Sequence, residues 1–396
     1  VMIASFESKG PSPVRYVLDA NHSAEEARRA AWKLGISRPC WLSQRDSRLG
    51  WIGEQCRPAW PDLHAARHAW HAAQPVLLPG FVAAELPAHR HHIAEAADLM
   101  AAVLDGTDCE QLLLEEPYAG RLAHRFELLS SLYDEGDQQE IVKLEFDAVR
   151  GDEIVAENLW VKLSWLSYAE QDASLRFRFS FGLENYEDVA ADPERQLQAA
   201  ALTEAIFPES AIISANSRLQ HYLRELLEAK ELVYVERIVY FNAPEGGAQF
   251  HHDVERGHLG VVFAQISGHT AWLALSTEQL LDALQTFLAL PDAAQAMANG
   301  VKARRDRTAL VALAGHRGAL AECMNNRDHD ALEQLINRTP DFARHLIERG
   351  HAYILHPGDI ILLPQHDPAH CSWHAVYCLD DKPGEALSFA VRRAAP

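Results

Sequence analysis

No two of the six cysteines (Cys40, Cys56, Cys109, Cys323, Cys371, Cys378) stand in a Cys-x-x-Cys pair, which excludes a zinc ribbon. A chain of 396 residues is also long enough not to depend on a disulfide framework. No apolar run approaches the about 18 residues a membrane-crossing helix needs. The opening stretch, "VMIASFESKGPSPVRYVLD", is too polar for a signal peptide, so a cytoplasmic location without a membrane partner is the expectation. Basic residues are scarce, 36 Lys and Arg against 56 Asp and Glu, for a formal net charge of -20. Such a field repels nucleic acid unless a basic patch overrides it locally, and none strong enough is visible in the sequence. Gly/Ser-rich linkers are missing too, so the segments are expected to pack together.

What is present suits two domains or one large core with additions, since 48% of the residues are hydrophobic. Three blocks are expected: a mixed N-terminal segment, 1–75; a mixed α/β support region, 76–229; and 230–396, interrupted by a helical insertion at 276–350. In the first, Ser23 followed by Glu26 is a capping box that starts a short helix. In the second, His89, His91 and His92 fall within a helical pattern and read as surface residues. "LRFRFSF" at 175–181 alternates apolar with polar residues and reads as a strand with one apolar face. "SRLQHYLRELLEAK" carries a helical stripe of Leu219, Tyr222, Leu223, Leu226 and Leu227. In the third block, Ser276 with Gln279 caps the helix that opens the insertion. Strands resume at "HAYILHPGDIILLP", "CSWHAVYCL" and "ALSFAVR".

The chemistry concentrates in "AQFHHDVERGHLGVVFAQISGHTAW", residues 248–272. His251 and Asp253 stand two apart, which on a strand puts both on one face, while His252 points away. Gly246-Gly247 relieve crowding where the chain enters. Two imidazoles and a carboxylate with open positions suit non-heme Fe(II), so a distal histidine is needed. His356 belongs to the entrance of the Pro357-Gly358-Asp359 turn, and His366 and His370 fall in a loop-like stretch. His374 shares a strand face with Ser372, Val376 and Cys378 and is favoured, with His370 in reserve.

Four elements then occur in order: Gly-Gly-x-x-x-His-x-Asp at 246–253, Gln-Ile-Ser-Gly-His-Thr-Ala-Trp-Leu at 265–273, Pro-Gly-Asp-Ile-Ile-Leu-Leu-Pro at 357–364 and Trp-His-Ala-Val at 373–376. Together they resemble the Jumonji-C and cupin-like Fe(II)/2-oxoglutarate oxygenases, over about a quarter of the chain (roughly 231–275 and 351–392). The resemblance implies an α+β protein with a double-stranded β-helix (cupin or jelly-roll) core, and Fe(II) held by His251, Asp253 and His374. It also implies 2-oxoglutarate and dioxygen as co-substrates. The sequence departs from the family where co-substrate contacts are expected. Thr270 replaces the usual lysine two residues after the glycine of Gln265-x-x-Gly268, and Ala248 replaces a threonine. Gln265 and Thr270 nevertheless stand at co-substrate positions. Arg392, sharing a face of the last strand with Ser388 and Ala390, is the physical replacement for the lysine, because a guanidinium grips a carboxylate with two parallel hydrogen bonds. His269 and Arg237 are further pocket candidates.

The expected substrate is a small polar or amino-acid-like metabolite, with the insertion placed to cover the mouth of the site. Arg304, Arg305, Arg307 and Arg317 in that insertion are either anion contacts or solvated surface. The competing readings are a protein or peptide hydroxylase, a 2-oxoglutarate-independent iron oxygenase, a cupin-type isomerase with zinc or manganese, and a plain binding module. A homodimer is left open.

Overall fold

The computed structural model describes residues 12–44, 47–134, 141–166, 173–181, 192–255, 257–326 and 329–394. Residues 1–11, the start of the stretch judged too polar for a signal peptide, lie outside the described residues. The chain forms two compact units, one of 1–42, 47–58 and 281–354, the other of 43–46, 59–280 and 355–396.

In the first unit, β1 (Val14–Leu18), β2 (Cys40–Gln44) and β3 (Ser47–Glu54) pair in the order β1-β3-β2. Helix Ala24–Lys33 starts at the Ser23/Glu26 capping box, with both reciprocal hydrogen bonds formed. A small core of Val17, Ala27, Ala31, Ile36 and Trp51 closes around them. The rest of this unit is the helical run between residues 281 and 348. Arg305 is 92% exposed, while Arg317 donates to Asp282 and Gln285. Arg307 donates to the carbonyls of Val301 and Lys302.

The strands of the second unit are β4 (Val76–Leu78), β5 (Phe126–Asp134), β6 (Ile141–Arg150), β7 (Glu153–Trp165), β8 (Leu175–Phe181), β9 (Leu232–Asn242), β10 (Gly247–His251), β11 (His258–Gln265) and β12 (Thr270–Ser276). After the insertion and the boundary strand β13 (Ala352–Leu355) come β14 (Ile360–Asp367), β15 (His370–Cys378) and β16 (Gly384–Arg393). One wall runs β14-β11-β16-β9 and continues through β8-β7-β6-β5, all antiparallel, with β4 on the far side of β14. The other wall has β15 between β12 and β10. From β9 to β12, and again from β14 to β16, the chain alternates between these walls strand by strand. That alternation is the double-stranded β-helix. Residues 233–241 and 386–392 are neighbours in one sheet, with Ser388 opposite Ile238 and Leu387 opposite Val239.

The two faces of the long wall differ because side chains alternate along each strand. Phe177, Phe179, Val239, Phe241, Leu387, Phe389 and Val391 point to one side. There they join Leu202 and Ile206 of helix Pro193–Ile206 and Leu219, Leu223 and Leu226 of helix Ser217–Leu227 in a dry core. Each such side chain contributes about 1.5–3 kcal/mol by leaving water. The opposite face carries Arg176, Arg178, Tyr240, Ser388 and Arg392 and opens toward the inside of the β-helix. The expected cap of the insertion forms as well, with Ser276 and Gln279 exchanging hydrogen bonds at the start of helix Thr277–Leu288.

Candidate metal centre

His251 is the last residue of β10 and His374 lies in the middle of β15. The two are direct partners across the antiparallel pair, beyond a register shift between Ala248 and His251. Their rings sit 4.3 Å apart between centroids. Asp253, two residues past the strand end, reaches back between them. Its Oδ1 lies 3.4 Å from His251 Nε2 and its Oδ2 3.5 Å from His374 Nε2. The three ligand atoms all fall within 4.8 Å of one another.

Several neighbours hold this geometry. His251 Nδ1 lies 2.7 Å from the Gln249 carbonyl and donates to it, which leaves the Nε2 lone pair for a metal. The Trp272 ring stacks on His374 at 5.3 Å and 21°, fixing the imidazole plane. The backbone N–H of Asp253 donates to Gln365 Oε1, and Gln365 Nε2 donates in turn to the Ser372 carbonyl. One buried amide thus ties the loop carrying Asp253 to the strand carrying His374. Gln44 Nε2 donates to the Val376 carbonyl on that same strand. Gly247 has φ +130°, and a Cβ there would collide with the Val376 carbonyl oxygen, so the close approach of β10 to β15 requires glycine.

The electrostatics fit a divalent cation. Burial opposes ionisation of Asp253, but His251 and His374 outweigh it and hold the carboxyl well below its ordinary range. Burial, then the charge of His251, pushes His374 down to about 3, keeping it a neutral ligand. His251 is raised: burial works against its charged form and Asp253 wins. A cation bound between the three would take over that role from the proton. The donor set, two imidazoles and one carboxylate, fits non-heme Fe(II) with positions left for other ligands.

The remaining expected residues are placed as follows. Gln265 and Thr270 are fully buried and bonded to each other, Thr270 Oγ1 donating to Gln265 Oε1 at 2.7 Å. Trp272 Nε1 donates to Thr270 Oγ1, and Gln265 Nε2 donates to the carbonyls of Ser267 and Glu385. The chain from Gln265 to Trp272 therefore props the ring that stacks on His374. Arg392 is 9% exposed and stands opposite His258 on β11, on the same face as Ser388. His269 is tied through Nδ1 to Asp380 at 2.9 Å and rests against His356. Arg237 lies on the helix-packed face, where burial pushes it down to about 10 and Glu204 is the nearby carboxylate; it is not a pocket residue. His366 and His370, expected in a loop, instead lie near the end of β14 and at the start of β15, on either side of the tight turn between them; both are exposed, and His370, the reserve ligand, is bonded to Asp367.

Sequence reasoning missed Gln365, Trp272 as a stacking partner, and Tyr240. The signal for Gln365 was a lone amide closing the apolar run "IILLPQ". Tyr240 contacts Phe263, which contacts Trp272, so these rings line the inside of the β-helix. Burial, then the charge of Asp253, pushes the Tyr240 phenol up to about 12.

No family model matches the chain, and no curated protein matches it. Among solved structures, it aligns with a 2OG-Fe(II) oxygenase family oxidoreductase from Burkholderia pseudomallei at 9% identity. That alignment covers 85% of this chain and 94% of the other, with a TM-score of 0.31. YcfD, a ribosomal oxygenase from Escherichia coli, aligns at 14% identity over 73% of this chain and 44% of its own, with a TM-score of 0.22. Among the described residues, no helix is long and apolar enough to cross a membrane.

Proposed function

We propose that this chain is a non-heme Fe(II) oxygenase that uses 2-oxoglutarate and dioxygen to oxidise a small polar or amino-acid-like metabolite. The observation that carries the reading is the convergence of His251, Asp253 and His374 inside a double-stranded β-helix. Fe(II) held there would supply the redox chemistry that activates dioxygen. The protein's own part is to hold and orient the ligands. Asp253 and the two imidazoles occupy one side, leaving the other to exogenous ligands. Tyr240, Phe263 and Trp272 form an aromatic wall on the inside of the β-helix, with Trp272 stacked on the ligand His374. Arg392, on the inward face of the last strand, is the group proposed to hold the distal carboxylate of 2-oxoglutarate.

A specific observation favours a second reading, an iron oxygenase that does not use 2-oxoglutarate. Thr270 and Gln265 stand where the resemblance puts co-substrate contacts, and they are bonded to each other, Gln265 also donating to backbone carbonyls and Thr270 accepting from the Trp272 indole. One measurement decides. Iron is loaded anaerobically, 2-oxoglutarate is added, and succinate is measured after air is admitted, with Asp253→Ala as the control. Succinate from the wild type alone supports the first reading. Full iron loading without succinate supports the second, and equal iron loading of wild type and Asp253→Ala removes both.

A further inference from the structure

The inward face of the long wall does not stop at β9. Tyr240 stands directly opposite Arg176 on β8, and Ile238 opposite Arg178. Across the next pair, Ser164 faces Arg176, Lys162 faces Arg178 and Trp160 faces Ser180. Lys143 on β6 then stands opposite Lys162. Three cations, Lys143, Lys162 and Arg178, thus succeed one another across three adjacent strands, where like charges repel. The sequence as a whole carries a net charge of -20, so this clustering runs against its composition.

The polar atoms of this face are chiefly donors in search of acceptors. Among the described residues, Trp160 Nε1, Ser180 Oγ and Arg178 Nε are buried from solvent without a hydrogen-bond partner. Indole and guanidinium N–H groups cannot accept, so another donor cannot satisfy them. Burial, then Arg178 and Lys143, lowers the proton affinity of Lys162, a strain that an incoming anion would relieve. Acidic neighbours are already engaged. Glu236 and Glu255 lie on the Arg178 Nη2 atom, at 2.5 and 3.8 Å, and Glu145 accepts from Ser130. The patch also adjoins the metal centre. Glu255, two residues beyond Asp253, lies 3.8 Å from Arg178, and Arg176 stands opposite Tyr240, whose ring contacts Phe263 on the inside of the β-helix.

We infer that the face formed by Trp160, Lys162, Arg178 and Ser180 binds an anionic group, a carboxylate or a phosphate, of the molecule that is oxidised at the metal centre. The role of the anion as part of a substrate rests on the oxygenase reading; its binding does not. Planar or tetrahedral oxyanions present several acceptors at once, which matches an indole N–H, a hydroxyl, a guanidinium edge and an ammonium.

The test follows the indole N–H resonance of Trp160, assigned with Trp160→Phe, by 15N NMR. Wild-type protein is titrated with inorganic phosphate in one arm and glutarate in the other. A saturable shift is expected in at least one arm, and the tighter arm names the anion class. The Lys162→Gln/Ser180→Ala double variant should weaken that binding by about tenfold or more, the loss of charge-assisted hydrogen bonds. Lys162→Arg, which keeps the charge, should bind as the wild type does and guards against misreading a folding defect. A Trp160 resonance unmoved in both arms overturns the proposal, as does an unchanged affinity in the double variant. The same titration of Asp253→Ala separates the two readings: anion binding retained there stands even if the metal centre fails its own test.

Discussion

Two clusters of three ligand-type side chains lie within the second unit, and they differ in what surrounds them. His251, Asp253 and His374 converge with no cation side chain among them, and the nearest supports are an indole, an amide and backbone carbonyls. Glu236, Glu255 and His258 converge within the same distance, but Arg178 is seated on both carboxylates. Burial and then the charge of Glu236 push Glu255 up to about 7, while Arg178 overcomes the burial of Glu236 and holds it below its ordinary range. The second cluster thus carries its own counter-ion, and a metal there would have to displace a guanidinium. The first needs an outside cation. Composition and spacing of ligand atoms do not distinguish the two; the neighbouring charge does.

The strongest way to break this comparison is Asp253→Ala. Removing the one anionic ligand should lower Fe(II) affinity by more than about 100-fold, since even outer-shell changes cost about 10–100-fold. Metal analysis after anaerobic reconstitution reads it, and retained iron would place the metal elsewhere, with the second cluster as the obvious alternative. Gln365→Ala sharpens the comparison without touching a ligand. It frees the Asp253 backbone and should cost about tenfold in metal affinity while the fold survives, as urea unfolding would confirm.

Arg178→Ala probes the second cluster. Glu236 and Glu255 lose their partner, and with Glu236 only 16% exposed the protein should lose about 1–3 kcal/mol of stability, with metal binding at the first cluster little changed. A smaller effect is expected at a second carboxyl pair, on the helix-packed face. Glu209 and Glu385 lie close together in a dry environment: burial pushes Glu209 from 4.5 up to about 7 although its contact with Glu385 works the other way, and burial together with the charge of Glu209 raises Glu385. Both hold protons more tightly folded than unfolded. Their contribution to stability is therefore fully present below about pH 4.5 and is lost as pH rises through about 7 and beyond. Each carboxyl imposes a decline of at most about 1.4 kcal/mol per pH unit. Glu385→Gln should flatten that decline in urea midpoints measured from about pH 5 to 8, and an unchanged slope would show that the pair does not retain protons. The least effect is expected from His370→Ala: this exposed side chain should be dispensable for iron, and loss of iron would restore it as a ligand.

Legibility in the sequence followed periodicity. The alternation of "LRFRFSF" and the helical stripe around Leu219 and Leu223 each announce their element, because burying one face imposes a repeat of two or 3.6. Most of the metal centre was legible for the same reason. His251 and Asp253 are two apart at a strand end, and His374 falls on the inward face of a strand. Gln365 was not legible as a clamp, since its function depends on which loop β14 lies beside. Gln265 and Thr270 are a similar case. Their residue types suit a co-substrate contact, and only the packing shows that each binds the other.

By itself, the sequence determined the local elements, the two-residue spacing that brings His251 and Asp253 together at a strand end, and the choice of His374 over the other C-terminal histidines. Those properties follow from side-chain alternation and from short-range capping, as at Ser23 and Ser276. Tertiary structure alone decided which His/carboxylate cluster is free of a built-in cation and that β8 and β7 prolong the inner face of the β-helix past β9. It also decided that Trp160, Lys162, Arg178 and Ser180 share one surface. Strand pairing joins residues far apart in the chain, and register, which no local pattern encodes, sets which charges stand opposite one another.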